Sequence, residues 1–491
     1  MKKCFFIFAL VVLSVIPTVS PALPLHGIQS WADIPAASKS DSGKANVIVN
    51  YTVQNIAQLN AASRQFKVVT PDEGRNAVDR SQAVVADNAL SAAVGAAGDA
   101  VLKGIDSAHY TVRQRYSFLP AMALEVDADG LSSLLADPNV VSIEANMPIP
   151  LPETGLSNAV AAPESVAPVT VFTSLIGADS PWSKGYTGQG WWVAILDTGI
   201  RSSHVFFTGK VIREACYSYV YDCPNGLSSM FGTGAAAHYP SIYAGWDHGT
   251  HVSGIAAGRD MTTAAGVAKQ ANIIAVNVFS KINDGTLWVG SYSSDQLAGL
   301  NYIYSLRTTY SIGAVNMSLG GGSYSAYCDS DSLKSAIDNL AAVNIAVAIA
   351  SGNNGYTSSI SGPACISTAV SVGASSSGDV EAGFSNYQPT MLDVFAPGVS
   401  VYSSVADSDT SFDSWDGTSM ATPHVTGAWT LLRQKYPTKT VPQLLSALQA
   451  AGHAVTLKAG DQSGGNVRRI DLSTLFQSIP LTGIDMLLLE N

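Results

Sequence analysis

Five short apolar runs limit what the C-terminal two thirds of this chain can become. They lie at 192–196, 273–278, 314–318, 345–350 and 369–373. Each is continuous rather than alternating, which marks a strand buried on both faces. Helical patterns separate them, at 295–306 and 331–343. Together they predict an α/β domain whose sheet is mostly parallel, doubly wound and covered on both sides. Ligands on such sheets bind outside the carboxyl ends of the strands. Polar residues at those ends are therefore the first candidates for chemistry.

Four stand out. Asp197 ends a strand in Ile195-Leu196-Asp197-Thr198-Gly199. A carboxylate directly after apolar strand residues is costly to bury without a partner. His248 opens His248-Gly249-Thr250-His251-Val252-Ser253-Gly254, where glycine and threonine start a helix and leave the imidazole at its mouth. Asn353 follows a strand in Ala350-Ser351-Gly352-Asn353-Asn354-Gly355; its amide can donate to an oxyanion without titrating. Ser419 sits among small residues, before the apolar helical run Val425, Ala428, Trp429, Leu431, Leu432. A serine there lies in the positive potential of a helix N-terminus. Taken alone, it reads as a helix cap, and Asn353 fits a turn equally well. An acid, an imidazole, an amide and a serine at element ends of one domain read as nucleophilic catalysis. A zinc site would want H-E-x-x-H, and no Glu is present. His251 and His424, further inside their helices, are expected to be packed and hydrogen-bonded. A lipase or esterase would show G-x-S-x-G, but position 421 is Ala.

These blocks, with Gly417-Thr418-Ser419-Met420-Ala421-Thr422-Pro423-His424-Val425, resemble the subtilases, the subtilisin family of serine endopeptidases. The resemblance covers roughly 175–475 and takes in Met317-Ser318-Leu319-Gly320-Gly321. It implies that Ser419 is the nucleophile, His248 its base and Asp197 the group that orients the imidazole. Asn353 and the Ser419 N–H would bind the oxyanion. Ser318, Leu319 and Gly320 would pair with a substrate strand. Ala350, Ser351 and Gly352 would line the first specificity pocket, with Ser361 or its neighbours near the base. None of these is charged, so a bulky apolar or aromatic side chain is expected there. The partners implied are protein or peptide substrates, cut by a monomer; joining of peptides would use the same residues. No cofactor is required. The family's common calcium-binding loop is absent after Gly258, which puts a structural calcium in doubt. The stretch 200–246 is longer than in compact members and is expected as a surface insertion at the rim of the site.

The N-terminal third differs. Lys2 and Lys3 precede an apolar run and then small residues, which reads as a signal peptide over 1–22, cut after Ala22 and leading to secretion. A flexible lead-in is expected at 23–46. A strand at 47–51, helices at 54–66 and 72–97, a hairpin at 109–126, a helix at 131–136 and a strand at 140–144 would form a small α+β domain, 47–146. Ala121-Met122-Ala123-Leu124-Glu125-Val126 and the segment from Asp137 to Glu144 resemble the ferredoxin-like inhibitory propeptide of secreted subtilases. That resemblance implies a zymogen inhibited by its own propeptide. A Pro-rich processing linker would follow at 147–172, the catalytic domain at 173–477, and a tail without motif at 478–491.

Four cysteines remain after the signal peptide: Cys216, Cys223, Cys328 and Cys365. An even count in an exported chain favours two disulfides. Three connectivities are possible; Cys216–Cys223 and Cys328–Cys365 are expected. The net charge of −11 argues against a nucleic-acid partner.

Overall fold

A computed structural model describes residues 26–40, 43–64, 67–69, 77–79, 83–151, 170–261, 264–458, 460 and 467–477. The expected signal peptide, the C-terminal tail and most of the Pro-rich linker lie outside the described residues.

The larger part is built on a ten-stranded sheet. Its central strands Asn272–Asn277, Trp192–Asp197, Ile312–Met317, Ala346–Ala350, Val370–Ser375 and Val394–Pro397 are neighbours in that order, and all run parallel. Only the outermost strands, Ser229–Phe231 and His453–Ala454, are antiparallel. Ala, Val and Ile fill the middle strands because helices cover both faces; 346–350 is buried throughout. On one face lie His248–Ala257 and Thr418–Lys435. On the other lie Ser293–Leu306 and Lys334–Ala342. The Thr418–Lys435 helix sits directly on the sheet. A side chain at Gly313 would collide with the backbone of Thr430, so this strand and helix approach closely because position 313 has no Cβ.

The smaller part has the strand order Val140–Ala145, Ala45–Tyr51, Ala121–Val126, Tyr110–Arg115, with the inner pairs antiparallel. With helices Ala83–Lys103 and Ala128–Ala136, this is the ferredoxin-like arrangement. Two local expectations are corrected. The described second helix is Ala83–Lys103, and Ala77–Asp79, inside the expected helix, pairs as a strand with Lys67–Val69 instead. The lead-in is partly built into the fold. His26–Gly27 adds to the sheet edge beside Val140–Ala145, where the backbone finds partners that a free segment would lack.

The two parts share one continuous apolar core, with Phe118 packed on Tyr304 at 5.3 Å between ring centres. Polar contacts frame it. Asn146 accepts from Ser294 N (3.1 Å) and donates to Ser294 Oγ (2.9 Å), serving orphan groups at the start of the Ser293–Leu306 helix. Glu144 accepts from Ser332 N (3.2 Å) and Oγ (2.9 Å). Arg307, wholly buried, pairs with Asp87 at 2.5 Å.

Candidate active site

Three adjacent strand ends and two helix starts meet at one edge of the large sheet. Asp197 is the last residue of its strand. Its Oδ1 accepts from its neighbour Thr198 N at 2.8 Å and lies 2.8 Å from His248 Nδ1. Both side chains are at most 2% exposed. A buried carboxylate holding Nδ1–H fixes the ring orientation and leaves Nε2 to act. His248 Nε2 is buried and has no hydrogen-bond partner among the described residues.

The two helices run the same way. A Cβ at Gly427, midway along the second helix, would lie 2.8 Å from Ala256 O, near the C-terminal end of the first. At the other end Trp415, just before the second helix, stacks on His251 (4.3 Å between centres, 6° between planes) and lies 6.4 Å from His248. Contacts at both ends bring the two N-termini, and with them His248 and Ser419, to one mouth.

Ser419 is fully buried. Its Oγ donates to Ser318 O at 3.3 Å rather than to His248. In return Ser318 Oγ donates to Ser419 O at 2.8 Å. Pro423 explains that return bond: it has no N–H, so the carbonyl four residues earlier has no helical donor. Ser318 is itself held by Asn316 Nδ2 at 3.0 Å.

Asn353 is oriented by Thr418. Thr418 N and Oγ1 both donate to Asn353 Oδ1, at 2.9 and 2.7 Å. The amide nitrogen therefore turns the other way, beside Gly417, where a Cβ would sit 3.4 Å from Nδ2. Gly417 leaves that space open. The Ser419 N–H belongs to the same first helical turn, where backbone donors have no intrahelical acceptor.

Ala350, Ser351 and Gly352 leave the sheet beside this point. Asn386 ties them to Ser361: its Nδ2 donates to Ser351 O (3.0 Å) and Ser361 Oγ (3.2 Å). Gly352 has φ +102°, and a side chain there would strike Asn386 and Ser361. Leu319 is buried in the core, and Gly320 packs against Gly362 O. His251 and His424 are wholly buried and hydrogen-bonded to carbonyls, of Asp413 at 3.2 Å and Met420 at 2.9 Å. Burial pushes them down to about 3 and about 4, so both are neutral. Cys216–Cys223 and Cys328–Cys365 are bonded, with Cα atoms 5.8 and 5.4 Å apart. Among the described residues, no three His, Cys, Asp or Glu side chains gather as a metal set.

Three features of the site were not singled out from the sequence: Trp415, Asn386 and the strand Leu287–Tyr292. The last pairs antiparallel with Pro148–Pro150, with Gly290 opposite Pro150 and Tyr292 opposite Pro148. The expected linker thus starts as a third strand at the cleft edge. Ile149 reaches Gly321, and Leu151 packs on Gly245. The residues Leu287-Trp288-Val289-Gly290-Ser291-Tyr292 carry no catalytic signature, so only the pairing exposes the role of this strand.

The described geometry can be set beside known proteins. The subtilase family model matches residues 188–465. The chain is 33% identical over 330 residues to an extracellular serine proteinase of Thermus sp. (strain Rt41A), covering 67% of this chain and 70% of that protein. It is 31% identical over 348 residues to subtilisin E of Bacillus subtilis (strain 168), covering 69% and 77%. Among solved structures it is similar to a cold-adapted subtilisin-like serine proteinase, at 27% identity and TM-score 0.44, covering 58% of this chain and 89% of that one. By the family model and these two relatives, the chain belongs to the subtilase family and is a subtilisin-like serine peptidase.

Proposed function

We propose that the chain is a secreted endopeptidase that hydrolyses peptide bonds through Asp197, His248 and Ser419. The observation that carries this is the buried Asp197–His248 pair, whose Nε2 has no partner among the described residues at the mouth where Ser419 starts its helix. Substrate binding would turn the Ser419 hydroxyl from Ser318 O to His248 Nε2. His248 takes the proton as Ser419 Oγ attacks the carbonyl, then returns it to the leaving amine. Asp197 holds the tautomer and stabilises the imidazolium. Asn353 Nδ2 and Ser419 N–H receive the oxyanion; both are set before substrate arrives, so no reorganisation opposes the step. Water then resolves the acyl-enzyme. The reaction uses no cofactor.

The first pocket, from Ala350, Ser351, Gly352 and Ser361, takes a bulky apolar or aromatic side chain. What supports this is that the side chains named there are uncharged. Ser318, Leu319 and Gly320 bind the substrate strand from one side. The strand 287–292 offers the other edge, in the manner of strand addition.

Residues 47–146 act as an inhibitory propeptide, and the chain is made as a self-processing zymogen. This is supported by the antiparallel pairing of 148–150 with 287–292 and by the packing of Leu151 on Gly245, three residues before His248. The disulfides and the lysine-flanked apolar N-terminus support export.

The test compares wild type with Ser419→Ala, following mass and casein digestion. Wild type should lose its N-terminal part and digest casein, and the variant should stay full length. Equal processing of both would sink self-maturation. A processed wild type that leaves casein intact would sink the endopeptidase reading.

A further inference from the structure

The insertion expected at the rim holds a feature that peptide hydrolysis does not need. Cys216–Cys223 closes a small loop carrying Tyr219 and Tyr221. The loop is anchored from below. Tyr219 N donates to Asp295 Oδ2 (2.9 Å), and Lys281 N donates to Asp222 Oδ2 (2.7 Å). Asp222 N donates to Ser218 Oγ at 3.1 Å. Tyr219 also packs on Tyr292, 5.0 Å between ring centres. Tyr219 is thus fixed by the catalytic part, and Tyr221 N donates to Ser218 O at 3.2 Å within the same loop.

Both rings face one cation, Arg113, on the sheet of the N-terminal part. Its guanidinium carbon lies 5.7 Å from the Tyr219 ring centre and 5.4 Å from that of Tyr221. Arg113 Nη1 donates to Tyr221 Oη at 2.7 Å, and Nη2 pairs with Glu125 Oε2 at 2.8 Å. The Tyr219 hydroxyl donates to Asn46 Oδ1, two strands away in the same sheet. Tyr221 has φ +65°, which is uncommon for a side chain of this size and is held by its surroundings. It is still 44% exposed, so core packing does not account for its place.

We propose that the Cys216–Cys223 loop is an arginine-accepting exosite, by which the catalytic domain holds its own N-terminal domain after the linker is cut. The partner it fits is an arginine paired with a glutamate on a β-sheet surface, here Arg113 and Glu125. Two preset aromatic faces and a phenol hydroxyl suit a planar guanidinium better than the compact ammonium of lysine. Because the loop is anchored beforehand, little ordering cost opposes binding. The exosite thus adds, to the shared apolar core and to the strand that any extended peptide can imitate, a polar contact that selects the chain's own domain. The proposal rests on the inhibitory-propeptide reading.

The experiment uses full-length chains allowed to cleave themselves. Mass spectrometry reports the cut, and peptidase activity on serial dilution reports how tightly the cut fragment inhibits. Arg113→Ala should weaken inhibition roughly tenfold, equivalent to about 1.4 kcal/mol. Arg113→Lys should recover only part of that. Tyr221→Gly, which suits the positive φ, should match Arg113→Ala from the other side of the contact. It should leave kcat and KM of the freed enzyme at wild-type values. The double variant should be little weaker than either single one, because both remove the same contact. Cut variants that inhibit as tightly as wild type, or single effects that multiply in full, would overturn the exosite. If Arg113→Ala does not mature, Tyr221→Gly decides alone. A wild type that never cuts itself, or whose cut fragment does not inhibit, sinks the propeptide reading and this proposal with it.

Discussion

Replacing Glu144 by glutamine should abolish a pH dependence that the interface between the two parts builds in. Glu144 ends the N-terminal sheet and accepts from Ser332 N and Oγ. Burial, and next the Asp331 carboxylate, push it from 4.5 up to about 7. Asp331 is raised as well, by its own burial. The docked state thus favours protonated Glu144, whereas the separated parts leave it an ordinary carboxylate. A group raised on docking contributes fully below its free pKa and loses that contribution as pH climbs through the docked value. Docking is therefore strongest near pH 4.5 and below, and weakens up to and beyond pH 7. From pH 5 to pH 8 these two values give a hold weaker by one to two orders of magnitude, about 2 kcal/mol. The glutamine side chain keeps an acceptor for Ser332 but has no proton to lose. The assay dilutes the self-cleaved complex at each pH and reads recovered activity against enzyme already freed of its fragment. Wild type should show the steep loss of inhibition; Glu144→Gln should show at most the shallow residue left by Asp331. Equal slopes in the two proteins would refute the argument that Glu144 carries the linkage.

Three further outcomes follow from the site and the fold. Asp197→Asn should retain the folded spectrum but lower kcat by about 10⁴, because Asn favours the wrong imidazole tautomer; active-site titration with a peptide substrate measures it, and a loss under tenfold would contradict the pairing. Thr418→Val removes one of two donors to Asn353 Oδ1. It should lower kcat several-fold to about tenfold with KM little changed, since the amide loses a support worth about 1 kcal/mol. Removing Cys328–Cys365, which spans 37 residues, by a double Cys→Ser change should cost about 4 kcal/mol from loop entropy. The shift in urea midpoint reads this, and an unchanged midpoint would show that the native loop needs no tie.

Much of the site could be read in advance because its parts are local. Asp197 ends an apolar strand, and His248 and Ser419 open helices beside small residues. Each signal lies within a few neighbours. The residues that were missed depend on distant partners. Asn386 joins Ser351 and Ser361 from positions 35 and 25 residues away. Trp415 stacks on a histidine 164 positions earlier, and nothing around it in the chain signals that contact. The helix expected from residue 72 failed because helical composition was read through Ala77–Asp79, whose strand pairing with Lys67–Val69 the composition does not signal.

The sequence by itself determined the α/β class, the three blocks with Asp197, His248 and Ser419, and the division into a small α+β part and a large doubly wound one. Those follow from hydrophobic period and from turn and cap chemistry, which act over a few residues. Tertiary structure alone decided that Ser419 rests on Ser318 O, that Thr418 sets the amide of Asn353, and that Pro148–Pro150 joins the strand at the cleft edge. It also decided that Tyr219 and Tyr221 face Arg113. Each of these needs two segments far apart in the chain to arrive at the same point. Their arrival is set by helix packing at Gly427 and Ala256, by sheet register and by a shared core, none of which a short window of residues contains.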